Sequence, residues 1–208
     1  MVRATSSEST KQCYNKMKEI ILIGGGGHCK SVIDVIEQEA EFLITGIVDN
    51  SELIGTDILG YPVIGSDLDL ETLAQTYTYA LVTVGQIRSP NARIRLFDLA
   101  KKAGFSLPRI ISSRAYVSKH SFIGNGTVVM HNALINAGAY IGDNCIINSN
   151  ALIEHDSNIS NHCHISTHAI INGSVIIEDG CFIGSNAVTN NSITIKKNSF
   201  IKAGSVVK

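Results

Sequence analysis

The sequence predicts an α/β protein in two parts: a small Rossmann-like parallel sheet with flanking helices, then a parallel β-helix of hexapeptide repeats. Three observations carry this reading. Residues 18–108 alternate short apolar runs with segments of helical period. From Ile111 an Ile or Val returns every sixth residue as far as Val207, and Thr189 is the single break in seventeen positions. The fifth residue of each six is Ala, Ser, Thr or Cys, with Val175 and Ile193 the larger exceptions. A period of six held over residues 111–208 is the signature of a parallel β-helix.

The elements of the first part follow in order. "EIILI" (Glu19–Ile23) is an apolar strand that runs into "GGGGH". "SVIDVIEQ" (Ser31–Gln38) places apolar residues at 32, 33, 35 and 36, one face of a helix. "FLITGIVD" (Phe42–Asp49) is a second strand, and "LGYPVIG" a turn and a short strand. "SDLDLETLAQTY" opens on cap-like Ser66 and Asp67 and is predicted helical. "YALVTVG" (Tyr79–Gly85) is a strand. "SPNARIRLFDLAKKAG" is a helix with Pro90 near its start and Gly104 as its stop. This βαβ order gives a parallel sheet. In the second part each six supplies one flat face, a short strand and a corner. The Ile or Val points inward and stacks on the next coil, about 4.8 Å away. The small fifth residue fits where the corner crowds the interior. The expected division is a polar tail at 1–17, a βαβ domain at 18–108 and the β-helix at 109–208.

Composition narrows the function. Hydrophobic residues make up 44% of 208 and charged residues 17%, enough for a sizeable core. A formal charge of −1 argues against nucleic acid as partner. No apolar run approaches the roughly 18–20 residues that cross a bilayer, and residues 1–18 lack the apolar centre of a signal peptide. A cytoplasmic protein without a membrane partner is expected. The five cysteines form no CxxC pair, and no histidine spacing suggests a metal site.

The candidate chemistry centres on "LIEHDS". His155 is third in its six, so it projects from the wall, and Glu154 and Asp156 flank it. A bond from either acid would fix one ring nitrogen and leave the other as an acceptor of raised basicity, as a general base needs. His120 and His131, in early coils, read as surface residues. His162 and His168, fourth in their sixes, read as outward-facing. "GGGGHCKS" lies between a strand and a helix, where backbone amides hold phosphate. Gly24 and Gly26 begin a dinucleotide-type motif, but Cys29 stands where its last glycine belongs. Asp49 ends the next strand, where such folds meet a ribose or base. A tight strand–helix turn explains the glycines equally. Gly173, in "NGS", is either a turn glycine or an exposed amide donor for an oxyanion.

The motifs "IGGGGH", "IVDN", "NSNALIEHDSNISNHCHIS" and "NGSVIIEDGCFIGSNAV" resemble the hexapeptide-repeat sugar acetyltransferases. These include the bacillosamine-pathway nucleotide-sugar N-acetyltransferases and the sialic acid O-acetyltransferases. The resemblance spans about Lys18 to Lys208. It implies a left-handed β-helix of triangular section with three sixes per coil. Cys145, Cys163 and Cys181, 18 residues apart, then stack in one inward column, with Thr127 and Ser199 beyond. It further implies His155 as catalytic base and Asp156 as its orienting partner, an Asp where the family carries Glu. His164 would lie near the acetyl group of acetyl-CoA, the Gly173 amide would meet the thioester oxygen, and Asn148 would orient substrate. His28 and the glycines Gly24 and Gly26 would contact the nucleotide-sugar, and Asp49 and Asn50 its base or ribose.

Acetyl-CoA would lie between neighbouring β-helices of a homotrimer, with no metal. The expected activity is direct N-acetylation of a nucleotide-linked amino sugar, of the UDP-4-amino-dideoxy type, in bacterial surface-glycan biosynthesis. O-acetylation of sialic acid or another nonulosonate, and a non-catalytic partner role in such a pathway, remain alternatives. In the family the segment matching "AGSVVK" is usually followed by a proline-rich tail with a short "GxPA" stretch that helps cover CoA.

Overall fold

The computed structural model describes residues 17–208, so Cys13 and all but the last residue of the expected polar tail lie outside the described residues. The first part is a five-stranded sheet of β1 (Lys18–Ile23), β2 (Phe42–Val48), β3 (Asp57–Ile58), β4 (Tyr61–Gly65) and β5 (Tyr79–Val82), in the order β3-β4-β2-β1-β5. All neighbours are parallel except β3, which turns back on β4. Helix α1 (Gly27–Glu39) starts at the glycines, four residues before the apolar pattern does. The helix expected over 66–77 is shorter: a 3₁₀ turn, Asp67–Asp69, then one α turn, α2 (Leu70–Leu73). Ser66 and Asp69 close on each other in a capping box, and short polar side chains compete with the backbone for hydrogen bonds. Helix α3 (Asn91–Ala103) begins after Pro90 and stops at left-handed Gly104, φ 101°.

From Ile110 the chain forms two-residue strands, each ending at the inward Ile, Val or Thr189. Each pairs in parallel with the strand one coil on, as Leu134↔Leu152 and Ile135↔Ile153. The result is a left-handed β-helix with three faces of six, six and five strands. The first face holds Ile110–Ile111, Ile146–Ile147 and His164–Ile165, among others. The second holds Leu152–Ile153 and Ile170–Ile171, and the third Asn158–Ile159 and Ile176–Ile177. The core is the stack of inward residues, most of them without solvent exposure. The fourth residue of each six, from Gly126 to Gly204, has positive φ. The corner therefore requires a left-handed residue, and Gly, Asn, Asp, His and Ser fill it; Asn, Asp and His adopt that region more readily than most.

The sheet domain packs on the first face. Ile110, Val128 and Met130 share a buried cluster with Val32, Ile36 and Phe42. Arg93 of α3, fully buried, joins the two parts: its guanidinium donates to Val82 O, Val84 O, Asn144 O and Asn144 Oδ1 at 2.5–3.2 Å. His131 and His162 belong to this seam, contrary to the surface roles expected of them. His131 bridges Asp34 of α1 (2.9 Å) and Ser112 Oγ (2.7 Å). His162 sets its ring edge-on to Phe97, 5.7 Å between centroids, and meets Asn144. A repeat pattern read alone does not reveal which face a second domain will cover.

Candidate active site

His155 stands on the corner between the second and third faces. The left-handed turn residue after it is Asp156, φ 60°. That backbone turns the Asp156 carboxylate onto the ring, with His155 Nδ1 2.9 Å from Asp156 Oδ2. Glu154 is engaged elsewhere. Its Oε2 accepts from Asn136 Nδ2 (2.9 Å) and from the His155 amide (3.3 Å). Of the two flanking acids, Asp156 is therefore the ring's partner. Its hydrogen bond holds the His155 pKa above the ordinary 6.5, and the charges of Asp156 and Glu154 add to this. With Nδ1 donating to the carboxylate, Nε2 carries the lone pair.

Gly173 lies one coil on at the same corner, under this ring. A Cβ built there would sit 2.9 Å from both Cε1 and Nε2 of His155. The glycine is thus required by close approach, since its φ is not in the left-handed region. Its carbonyl accepts from Ser192, while its amide has no hydrogen-bond partner among the described residues. His155 and Asp156 are exposed and Gly173 is buried beneath them, so an imidazole with a free nitrogen lies over a backbone amide without a partner among the described residues.

The glycine loop lines a cavity of about 340 Å³ at the C-terminal ends of β1, β2 and β5. Parallel sheets bind ligands at this edge. Gly24 has φ 105°, and a Cβ there would lie 2.3 Å from the Val84 side chain. At Gly25 a Cβ would strike Ile58 and Asp49. Gly26, the N-cap of α1, faces open space. The first α1 amides therefore point, unobstructed, at the place an anion would occupy. Asp49 braces the loop, its Oδ2 accepting from the Gly25 amide (2.5 Å) and its Oδ1 from Asn50 (2.7 Å).

A third group fills the seam. His164 Nδ1 donates to Gln86 O at 2.6 Å, which leaves Nε2 to accept from Asn148 Nδ2 at 3.3 Å. Burial lowers the His164 pKa to about 4, so the ring is neutral. Gln86 in turn donates to Gly180 O and Cys181 O. His28, in the first turn of α1, has its pKa lowered to about 3, chiefly by burial and then by the charge of Arg93. Its Nε2 is shut off from water and has no partner among the described residues. Gln86 and Arg93 were missed from the sequence: a buried, fully apolar-flanked arginine follows "SPNA" with no motif to mark it.

The residues singled out from sequence thus fall in two places. Gly24, Gly26, His28, Asp49, Asn50, Asn148 and His164 lie in the sheet domain or along the first face and its edge. His155, Asp156 and Gly173 occupy the corner opposite that face. Cys145, Cys163 and Cys181 stack inside as expected, each Sγ–H donating to a backbone carbonyl of the next coil, 15 residues on, at 3.1–3.2 Å. The neighbouring thiols and burial push the Cys163 pKa far up, so it is no nucleophile. Among the described residues no cluster of three or more His, Cys, Asp or Glu could hold a metal, and no helix is long and apolar enough to cross a membrane.

Comparison with known proteins adds to this geometry. Residues 19–98 match the PglD N-terminal domain, 120–155 the bacterial transferase hexapeptide (six repeats), and 174–208 the hexapeptide repeat of succinyl-transferase. A histidine variant of the perosamine N-acetyltransferase of Caulobacter crescentus, solved with CoA and GDP-perosamine, is 34% identical with a TM-score of 0.86. The match covers 91% of this chain and 88% of that one. The acetyltransferase domain of PglB from Neisseria gonorrhoeae is 30% identical with a TM-score of 0.85, over 92% of this chain and 91% of that one. The same domain has been solved with acetyl coenzyme A. No curated protein sequence matches the chain.

Proposed function

Because the chain belongs to the hexapeptide-repeat sugar acetyltransferases, and is an acyltransferase on that ground, we propose that it acetylates the amino group of a nucleotide-linked sugar from acetyl-CoA, with His155 as general base. The observation that carries the base assignment is the corner group itself: Asp156 holds Nδ1, and Nε2 is free over Gly173. The sugar amine approaches Nε2 and attacks the thioester carbonyl while His155 takes its proton. The Gly173 amide donates to the oxyanion. The C–S bond then breaks, and the CoA thiolate leaves with the proton that His155 returns. No acyl-enzyme forms, in keeping with the buried, protonated Cys163. Gly24, Gly26 and the α1 amides hold the diphosphate, with Asp49 and Asn50 at the ribose and His28 facing the sugar. His164 and Asn148 line the way to the acetyl group.

The separation of the two groups supports a homotrimer. Within one chain the prism stands between the nucleotide cleft and His155. A neighbouring copy can bring its His155 corner to the cleft, as a heterologous ring interface does. The second face offers a surface for that contact. Its outward residues Tyr116, Leu134, Leu152, Ile170, Val188 and Val206 are all apolar, one per coil, and Tyr116 and Val206 are more than 60% exposed.

The test is free CoA release with acetyl-CoA and paired acceptors, a nucleotide-linked amino sugar against its hydroxyl analogue and against sialic acid. Release with the amine, lost in His155→Ala, is the expected result. Release with sialic acid alone would establish O-acetylation instead. No release with any acceptor, together with an intact cellular role for His155→Ala, would establish the non-catalytic role.

A further inference from the structure

Resting on the oxyanion role proposed for the Gly173 amide, we infer that Thr189 and Asn172 are positioning residues that keep this amide free. Thr189 is the single break in the inward column of Ile and Val. It is nonetheless fully buried. A buried hydroxyl needs a partner, and the one it takes changes the corner one coil before it.

Elsewhere along this edge the ladder is regular. The residue after each inward Ile or Thr gives its amide to the inward carbonyl of the next coil: Asn136 N to Ile153 O, Glu154 N to Ile171 O and Asn190 N to Val207 O, at 2.7–2.9 Å. Asn172 departs from this. Its amide donates to Thr189 Oγ1 at 2.9 Å. The Thr189 carbonyl accepts from the Asn172 side chain instead, Nδ2 to O at 2.5 Å. The strands Ile170–Ile171 and Val188–Thr189 accordingly pair at Ile170↔Val188 alone. The strand pairs before and after them on this face hold both positions.

The exchange decides what Asn172 can do to Gly173. Side chains at this place in other sixes cap the amide that follows them. Asn136 Oδ1 accepts from Ala137 N and Asn148 Oδ1 from Ser149 N, both at 2.8 Å. Glu154 Oε2 accepts from His155 N at 3.3 Å. Asn172, drawn to Thr189, leaves Gly173 N without a partner among the described residues. The same peptide is held from its other side. Ser157 Oγ, buried, donates to Asn172 O at 2.9 Å. A trans peptide sets its carbonyl and its N–H in opposite directions. With the carbonyl turned to the buried hydroxyl, the Gly173 N–H faces away from the interior.

Thr189→Val tests this, because it restores the residue type that the repeat carries and keeps the core filled. The Asn172 amide then returns to the carbonyl of residue 189, and its side chain is released to cap Gly173. The readout is steady-state CoA release with acetyl-CoA and whichever acceptor the wild type acetylates. An oxyanion donor acts in the transition state, so kcat is expected to fall about 10²-fold with both KM values unchanged. Adding Asn172→Ala removes the competing cap, and the double variant is expected to recover most of the lost kcat. A merely structural role for Thr189 gives no such rescue. Wild-type kcat in Thr189→Val, or an equal loss in the single and double variants, overturns the inference and leaves the proposed activity standing. A wild type that releases no CoA with any acceptor removes the proposed activity, and this inference with it.

Discussion

In its proposed role as base His155 must be neutral, so its raised pKa has a direct consequence. As pH falls through that pKa the ring protonates and kcat/KM falls with it. The acid limb is therefore expected above pH 6.5, the ordinary histidine value. Asp156→Asn removes the largest cause of the shift. It should move the limb to lower pH and reduce kcat by about 10²-fold or more, since the ring loses its orientation. A pH–rate profile checks both. Gly173→Ala puts a methyl group where His155 sits, 2.9 Å from its ring carbon and nitrogen. The ring must move by an ångström or so, and about 10²-fold in kcat goes with such a displacement, while the melting temperature stays near wild type because the displaced His155 ring is exposed. At this scale much was legible. The six-residue phase sent His155 outward and Ile153 inward without any structure. The repeat alone did not choose between Glu154 and Asp156, and only the resemblance pointed to Asp156, because the choice depends on Asn136 one coil away and on the left-handed backbone at Asp156.

Among the elements, the seam between α1, α3, the loop after β5 and the first face carries the titrating groups that couple folding to pH. His164 has its pKa lowered from 6.5 to about 4 by burial. A histidine depressed in the folded state binds fewer protons there than when unfolded, so stability is full above pH 6.5 and declines as pH falls toward 4. His28 extends the same trend toward 3. Thermal melts from pH 7.5 to 4 should show this slope, and His164→Gln, which keeps a donor and an acceptor but does not titrate, should flatten it. An unchanged slope in that variant would remove His164 as its source. The β-helix was legible here because one residue in six is constrained by the stack. Its corners were legible in principle too: Gly, Asn, Asp, His and Ser recur at the fourth position, and that recurrence marks a positive φ. The seam was hidden, since outward Ile146 on the covered face and outward Leu134 on the open one look alike in sequence.

For the whole molecule, the proposed site is shared between chains: the sugar held by one sheet domain, the base supplied by a neighbour's corner. Gly26 provides a clean way to disable the first half. A Cβ there meets nothing within 4 Å, and Asp is a favoured N-cap. Gly26→Asp should therefore fold normally yet set a negative charge at the proposed diphosphate site. His155→Ala disables the other half. Each variant alone is expected to be inactive. The decisive measurement is CoA release by mixed oligomers from co-expression of the two, carrying different tags and purified through both. A shared site predicts that activity returns, because a His155→Ala chain still offers an intact cleft to the intact His155 of a Gly26→Asp chain. Mixed oligomers as inactive as their parents, beside an active wild type, would contradict it.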